Sequence, residues 1–218
     1  QGGLVEALAR AIATRPDDKH LHAELATDGL TPARAAALIG ATKPKSERVT
    51  IVLDPFFDHL LLVDTRRNPD LLEDVVGVYR LLPSDRLAQT GRFYSESEYD
   101  LGALKASGRR LLELGRSCVH PDYRGGTAMF HLWNALAEYV LERKIEVLFG
   151  VASFHGTDAA ALAQPLAYLH HNHLAPEALR VQARPEQRQE MNLIGAETVT
   201  KLLRLTTDLS SEIGRAHV

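Results

Sequence analysis

The amino-acid sequence predicts a mixed α/β fold, and three observations lead to that prediction. Four short apolar runs bounded by polar residues are typical of buried β-strands. Between the third and the fourth run, the apolar residues repeat with the period of an amphipathic helix. The chain has 218 residues, of which 45% are apolar and 24% are charged, so we expect one globular domain with a hydrophobic core.

Three predicted strands precede the first long helix, and a fourth strand and a second helix follow it. The predicted strands are residues 59–64, 75–82, 111–119 and 147–154. Gly115 lies inside the third strand and predicts a β-bulge, because a glycine within a strand often marks a change of register. The first helix is indicated by one apolar face that we expect to pack on the sheet: Met129, Leu132, Trp133, Leu136 and Val140. The second helix has the same spacing from Leu162 to His173.

Charge and cysteine content exclude some classes of function. The chain carries 25 basic and 28 acidic residues, a net charge of −3, so we expect no nucleic-acid partner, which would require a basic excess. Cys118 is the only cysteine, so no disulfide can form within the chain, and a reducing, cytoplasmic location is expected. The sequence contains no run of about 18 apolar residues, so it predicts no membrane-spanning helix.

A glycine-containing turn connects the third predicted strand to the first long helix. Gly125 and Gly126 would let the backbone approach a bound group closely, and Arg124 adds a positive charge beside them. A helix N-terminus also offers unpaired N–H groups to an anion. The turn, including Thr127, therefore predicts a cradle for phosphate or phosphopantetheine. An ordinary strand-to-helix turn is the alternative interpretation.

Several blocks of the sequence, in the same order, resemble the GNAT acyltransferases, and most closely the L-ornithine Nα-acyltransferases that begin ornithine-lipid synthesis. The blocks that carry this resemblance are residues 54–60, 76–82, 93–101, 113–124, 148–154 and 191–194. The resemblance implies a mostly antiparallel central sheet flanked by helices. A more distant resemblance links Arg80–Pro83 and the Glu113-x-x-Arg116 pattern to the acyl-homoserine lactone synthases.

The resemblance also suggests how the chain is divided. Residues 54–194 correspond to the acyltransferase core, whereas residues 1–50 form an N-terminal segment with helical spacing that matches the family poorly. Residues 212–218 resemble the translation of a sequencing adapter, so we expect residues 195–218 to be a truncated or artefactual tail.

The reaction that the resemblance implies is transfer of a 3-hydroxy fatty acyl group from acyl carrier protein to the α-amine of L-ornithine. The product is lyso-ornithine lipid, so peripheral contact with the inner face of the bacterial membrane is expected. Arg124 lies one residue closer to the glycines than in the usual GNAT loop, which favours acyl carrier protein over coenzyme A as donor. No tightly bound cofactor is expected. Carrier proteins are acidic, so an arginine patch is predicted to bind one: Arg109, Arg110, Arg116 and Arg124.

Two residues are predicted to move protons during this reaction. Glu113 is the candidate base for the attacking amine, directly or through water, with a buried ion pair to Arg116 as the structural alternative. Tyr168 is the candidate acid for the leaving thiolate, with an ordinary buried tyrosine as the alternative. A backbone N–H near Cys118 or Val119 is expected to polarise the thioester carbonyl.

Recognition of a zwitterionic amino acid requires both signs of charge. Asp54 and Asp58 are candidates for the ammonium groups, and Arg80 is a candidate for the carboxylate; turn, cap or anchor roles are the alternatives. The predicted substrate-binding set is completed by three further residues: Glu96, Glu98 and Arg116. The alternative interpretation is that the acidic loop containing these two glutamates is an ordinary solvent-exposed surface.

Other functions remain open on the sequence alone. A metal site is not expected, because only His170 and His173 share a helical face and no complete ligand set accompanies them or His155. Direct transfer needs no acyl-enzyme, so Cys118 with His120 is not expected to act as a nucleophile. The rival functions are an acyl-homoserine lactone synthase that uses S-adenosylmethionine, and a noncatalytic module that binds acyl carrier protein or lipid.

Overall fold

The computed structural model describes residues 20–26, 56–71, 73–124, 127–152, 154 and 156–200. The strands are β1 (Leu21–Ala26), β2 (Asp58–Asp64), β3 (Val75–Pro83), β4 (Tyr99–Asp100), β5 (Leu111–Val119), β6 (Val147–Gly150) and β7 (Gln182–Ala183). The α-helices are α1 (Leu87–Thr90), α2 (Gly102–Ala106), α3 (Ala128–Glu142) and α4 (Ala163–Asn172). The chain divides into two compact units. The first runs to Ser95 and resumes over Arg109–Val151, and the second comprises Glu96–Gly108 and the chain from Ala152.

The first unit is built on a five-stranded sheet with the order β1-β2-β3-β5-β6. The first four strands pair antiparallel with their neighbours, whereas β6 pairs parallel with β5. This arrangement confirms the predicted mixed fold with a mostly antiparallel central sheet. Strand β1 lies within the segment 1–50 and was not predicted from the sequence. The stretches of that segment with helical spacing, residues 4–12 and 31–39, fall outside the described residues.

Helix α3 covers one face of this sheet and forms the main core with it. Leu60 and Leu62 of β2, Leu81 of β3 and Leu112 of β5 pack in one buried cluster with the helix side chains Leu132 and Leu136. Side chains along a strand alternate between faces, so the residues between these leucines point away from α3. All seven residues of β2 are buried, which shows that this strand is covered on both faces.

The predicted face of α3 is partly wrong. Leu132, Leu136 and Val140 are buried as expected, but Trp133 is 41% exposed and Met129 is 37% exposed. Small and polar positions of the helix face the core instead, including Ala137 and Tyr139. The fourth predicted strand is also too long, because β6 ends at Gly150.

The second unit contains α2, α4 and a two-stranded antiparallel sheet of β4 and β7. The Asp158 carboxylate accepts bonds from Ala160 N and Ala161 N in the turn before α4. Helix α4 begins at Ala163, and Pro165 lies in its first turn. None of the described helices is long and apolar enough to cross a membrane.

Candidate active site

Strand β5 contains the predicted bulge. Arg80 of β3 lies opposite Gly115, and Val78 lies opposite Cys118, so β5 has one residue more than β3 between these two pairs. Arg116 lies within that extra length and has φ of 49°, a left-handed conformation that is uncommon for a residue with a side chain. The bulge turns the second half of β5 relative to the first and changes which residues share a face.

The pairing of β5 with β6 ends just before this bulge. The last pair in the ladder is Leu114 with Gly150. A Cβ atom on Gly150 would overlap the carbonyl oxygen of Leu114, so the close approach of the two strands requires glycine here. Among the described residues, β5 beyond Leu114 pairs with β3 only, and its other edge has no strand partner there.

The backbone of Val119 faces this edge of β5. His120 N donates to Val76 O over 2.8 Å, so the N–H of His120 points towards β3. Successive backbone groups of an extended strand point to opposite sides, which directs the N–H and C=O of Val119 away from β3. Arg124 Nε donates to Val119 O over 3.1 Å, in agreement with this direction.

Glu113 lies on the face of the sheet opposite α3 and is 3% exposed. Its carboxylate accepts bonds from Tyr94 N at 2.8 Å, from Ser95 N at 2.7 Å and from the Ser95 hydroxyl. The neighbouring Phe93 is fully buried and packs edge-on against Phe149, with ring centroids 4.9 Å apart. This contact fixes the segment whose N–H groups bind Glu113. No contact with Arg116, the predicted ion-pair partner, is among these bonds.

Arg80 shares this face of the sheet. Its side chain is 3% exposed, and its guanidinium carbon lies 4.2 Å from the ring centroid of Phe57 and 5.4 Å from that of Tyr94. A Cβ on Gly115 would be 3.6 Å from Arg80 Nη2, so the guanidinium lies directly beside that glycine. The structure thus brings a buried cation and a buried carboxylate, Glu113, to one face next to the bulge.

Asp58 does not join this group, and its position favours the structural alternative over substrate binding. It lies on the α3 face of β2 and is fully buried. One oxygen accepts a bond from Arg86 at 2.8 Å, and the other contacts Tyr139 Oη at 2.7 Å and Arg143 Nη2 at 3.3 Å. These partners use both oxygens, so its position and contacts are those of a structural residue.

A cavity of about 430 Å³ lies at the start of α3. Its walls include the β2–β3 turn, through Arg66 and Arg67, and the β5–α3 connection, through Arg124 and Thr127. The predicted donor-binding residues Arg124 and Thr127 therefore line one cavity. Gly125 and Gly126, which lie between them in the sequence, fall outside the described residues, as does Asp54.

Asp64 lies behind this cavity and is 1% exposed. Arg66 binds it with two side-chain nitrogens, the shorter contact being 2.6 Å from Nη2 to Oδ2, and Tyr123 Oη donates to Oδ2 over 2.6 Å. The Arg66 side chain holds the pKa of the Asp64 carboxyl well below its usual range. Burial, together with the bond to Asp64, raises the pKa of Tyr123.

Three further predicted residues belong to the second unit: Glu96, Glu98 and Tyr168. Glu96 binds Lys105 Nζ over 3.2 Å, and the carbonyl oxygen of Glu98 accepts a bond from Arg184 N. Tyr168 lies on α4, with its ring 5.1 Å from that of His173. Among the described residues, no group of three possible ligands is arranged to hold a metal ion. Cys118 is a half-buried free thiol.

Sequence reasoning missed several residues of these two sites. Ser95 and Tyr94 were not singled out, although they belong to a family-like block, because their backbone contribution leaves no mark on residue type. Arg66 and Arg67 are adjacent arginines in a short turn between two strands. That pair of charges was a visible signal, but only the fold places it beside Arg124.

The chain is similar to known proteins in sequence and in structure. Residues 38–134 match the family model described as "Acetyltransferase (GNAT) domain". An aminoglycoside acetyltransferase from an uncultured soil metagenomic sample superposes with a TM-score of 0.42 and 17% identity, over 67% of this chain and 86% of that chain.

Curated relatives give a closer match in sequence. The L-ornithine N(alpha)-acyltransferase of Rhodobacter capsulatus is 64% identical over 165 residues, which cover 76% of this chain and 62% of that protein. The protein of the same name from Brucella abortus is 41% identical over 154 residues, or 70% of this chain and 55% of that protein. The chain thus spans about three fifths of the length of these relatives. It belongs to the GNAT-fold family of L-ornithine Nα-acyltransferases.

Proposed function

We propose that the protein transfers a 3-hydroxy fatty acyl group from acyl carrier protein to the α-amine of L-ornithine. The 64% identity to a relative named for that acyltransferase carries the proposal. The end of the β5–β6 ladder at Gly150 supports it, since an extended thioester arm can bind along a strand edge that has no strand partner among the described residues. The product is an amphiphilic lyso-lipid, so the proposal includes peripheral contact with the inner membrane face.

The donor thioester is proposed to bind along this edge with its carbonyl oxygen at the N–H of Val119. The negative charge that develops on that oxygen during attack would then meet a fixed donor. In the best-studied comparable site, loss of one such donor lowers the rate by about 10²–10³. In our proposal, the half-buried Cys118 and the residues next to it contact the bound thioester arm.

The phosphate of the phosphopantetheine arm is proposed to occupy the cavity at the start of α3. Arg124 and Thr127 line that cavity, and the predicted contribution of Gly125 and Gly126 is retained as part of the proposal. An acyl carrier protein presents one phosphate at this position, whereas coenzyme A presents a pyrophosphate and a nucleotide. Carrier protein is therefore proposed as the partner, and comparing the two donors at equal concentration tests this choice.

The amine nitrogen attacks the thioester carbon, the carbon–sulfur bond breaks, and the thiolate leaves. We propose that the proton lost by the amine reaches Glu113 through Ser95, whose hydroxyl already donates to that carboxylate. Ser95 Oγ can accept a proton as it passes its own to Glu113. Tyr168 is proposed to protonate the thiolate. Protonated Glu113 then gives its proton to solvent and the Tyr168 phenolate takes one from solvent, which restores both groups and balances the reaction.

The carboxylate of ornithine is proposed to bind Arg80, which lies on β3 opposite Gly115, and Arg116, which lies in the bulge of β5. Arg80 is preorganised between two aromatic rings, and Arg116 is half-buried at the turn of the strand. The ammonium group at the end of the ornithine side chain is assigned to Glu96 and Glu98. Both assignments are tested by comparing KM for three acceptors. These are ornithine, its carboxamide and an analogue that lacks the side-chain amine.

The overall proposal is tested by mass spectrometry of N-acylornithine after incubation with 3-hydroxyacyl carrier protein and L-ornithine. Formation of that product is expected; its absence, or acyl transfer that requires S-adenosylmethionine instead, would contradict the proposal. For the base, Glu113→Gln and Ser95→Ala are each expected to lower kcat by about 10²-fold or more. Tyr139→Phe is a control, since it removes a buried hydrogen bond on the other face of the sheet. If all three variants lost the same activity, proton transfer through Glu113 would be refuted.

A further inference from the structure

The cavity at the start of α3 has a wall that the donor-binding motif does not include. The motif covers the β5–α3 connection, whereas Arg66 and Arg67 come from the turn between β2 and β3. Neither arginine was expected to have a function from the sequence. A turn between two strands has no intrinsic reason to keep a fixed distance from a loop about 57 residues later, so some interaction must join them.

Asp64 is the residue that joins the two walls. Arg66 N donates to its Oδ1 over 2.9 Å, and Arg66 Nε donates to the same oxygen over 2.8 Å. From the other wall, Tyr123 Oη donates to Oδ2 over 2.6 Å. Asp64 is almost fully buried, whereas Arg66 is half exposed, so the carboxylate depends on these donors while the guanidinium keeps contact with solvent.

Tyr123 makes further contacts that tie the walls together. The guanidinium carbon of Arg67 lies 5.9 Å from its ring centroid, within the range of a cation–π interaction. On the loop side, the ring packs edge-on against His120, with centroids 5.8 Å apart. One phenol thus contacts Asp64, Arg67 and its own loop, so its hydroxyl can be removed while its ring contacts remain.

The charges of this cluster suit a singly charged phosphate ester. Among the described residues, the cavity has three guanidinium groups, on Arg66, Arg67 and Arg124, and one carboxylate in its lining, on Asp122. Asp64 adds a second carboxylate behind Arg66. One net positive charge remains, which matches the single charge of a phosphodiester such as the one that joins phosphopantetheine to a carrier protein.

We infer that Asp64 and Tyr123 are positioning residues for donor binding: they hold the β2–β3 turn so that Arg66 and Arg67 contact the donor phosphate from the side opposite Arg124. The inference rests on the proposed function in one respect, that the donor carries phosphopantetheine. It adds a second wall to the phosphate site and two arginines that bind the donor from a turn outside the glycine-containing loop.

The test compares binding of 4′-phosphopantetheine with binding of pantetheine, which lacks the phosphate, to the full chain. The wild-type protein is expected to bind the phosphorylated compound about tenfold more tightly or better. Tyr123→Phe is expected to reduce that preference about three- to tenfold, and Arg67→Ala at least as much. In steady-state assays the same variants should raise KM for the acyl donor while leaving kcat and KM for ornithine near their wild-type values.

Tyr139→Phe is the matched control, because it removes a phenol–carboxylate bond of 2.7 Å far from the cavity. It should lower thermal stability yet keep the wild-type preference for the phosphorylated compound. An unchanged preference in both Tyr123→Phe and Arg67→Ala would overturn the inference, as would an equal loss in Tyr139→Phe. If the protein prefers phosphopantetheine but makes no N-acylornithine, the proposed function fails while this inference stands.

Discussion

Strand β2 carries a buried aspartate at each end, and the two make closely similar contacts. Asp58 begins the strand and binds Tyr139 in the last part of α3, whereas Asp64 ends it and binds Tyr123 just before α3. The phenol–carboxylate distances are 2.7 and 2.6 Å, and each carboxylate also binds arginine. The sheet and α3 are thus tied together at both ends of the same strand.

The two sites differ in where their arginines lie. Arg86 and Arg143, the partners of Asp58, have side chains that are 26% and 29% exposed. The side chain of Arg66, the partner of Asp64, is 52% exposed and lines the cavity at the start of α3. Aspartate, tyrosine and arginine therefore form a core contact at one end of β2 and a contact beside a cavity at the other. The two contacts differ in the exposed fraction of the arginine side chains.

The largest expected difference between the two sites is in stability. Asp58→Ala removes the shared acceptor of two arginines and a buried phenol, so it should lower the free energy of unfolding by about 3–5 kcal/mol. Asp64→Ala should cost less, about 1–2 kcal/mol, because water can solvate the half-exposed Arg66. Urea unfolding of both variants measures this, and equal losses would contradict the distinction between a core site and a cavity site.

Removing the phenol hydroxyls sharpens the comparison while keeping both rings. Tyr139→Phe should cost about 1–3 kcal/mol, because Asp58 is fully buried and loses one of its donors there. Tyr123→Phe should cost about 1 kcal/mol or less, because Arg66 still binds the same oxygen of Asp64 over 2.6 Å. Thermal unfolding of the two variants should rank them in this order, and the reverse order would show that the cavity site carries more of the stability.

The stability of the protein at alkaline pH should distinguish Tyr139 from an ordinary tyrosine. Burial, followed by the hydrogen bond to Asp58, raises the pKa of Tyr139 well above its usual range. A group whose folded pKa is raised contributes stability below its unfolded pKa, which is about 10, and that stability is lost as pH rises further. The free energy of unfolding of the wild-type protein should fall above pH about 10 more steeply than that of Tyr139→Phe. Equal slopes would exclude the expected shift.

Acid pH probes the other site and is expected to give the smallest effect. The hydrogen bonds from Arg66 lower the pKa of Asp64, so its contribution is present above the unfolded pKa of about 4 and is lost below it. The difference in stability between wild-type protein and Asp64→Asn should therefore shrink as pH falls below about 4. A constant difference down to pH 2 would show that the carboxylate charge contributes nothing to this site.

Much of the fold could be predicted because local pattern and burial agree there. The strand over residues 111–119 has the predicted bounds, and the strand beginning near His59 is off by one residue. The prediction failed where the pattern is not local. Trp133 has the right spacing for the core but is 41% exposed, because the sheet beneath α3 is contacted by Ala137 and Tyr139 instead.

The candidate site was predictable only in part. Glu113 was selected mainly through the family resemblance, and Arg80 because a guanidinium can bind the carboxylate of an amino acid. The partners themselves could not be found, because the N–H groups that bind Glu113 belong to every residue type. Asp58 is a different case: a charged residue beside a motif looked like a ligand-binding group, yet three side chains distant in sequence use its carboxylate.

The sequence by itself determined the mixed α/β class, the bulge near Gly115, the family and the candidate base. Those properties follow from side-chain period, from the backbone freedom of glycine and from motifs that are contiguous in the chain. Only the tertiary structure decided which of two similar aspartates belongs to the core, and that Arg66 and Arg67 lie beside Arg124. The physical reason is that burial and charge pairing are set by contacts between distant segments, which residue type and spacing do not specify.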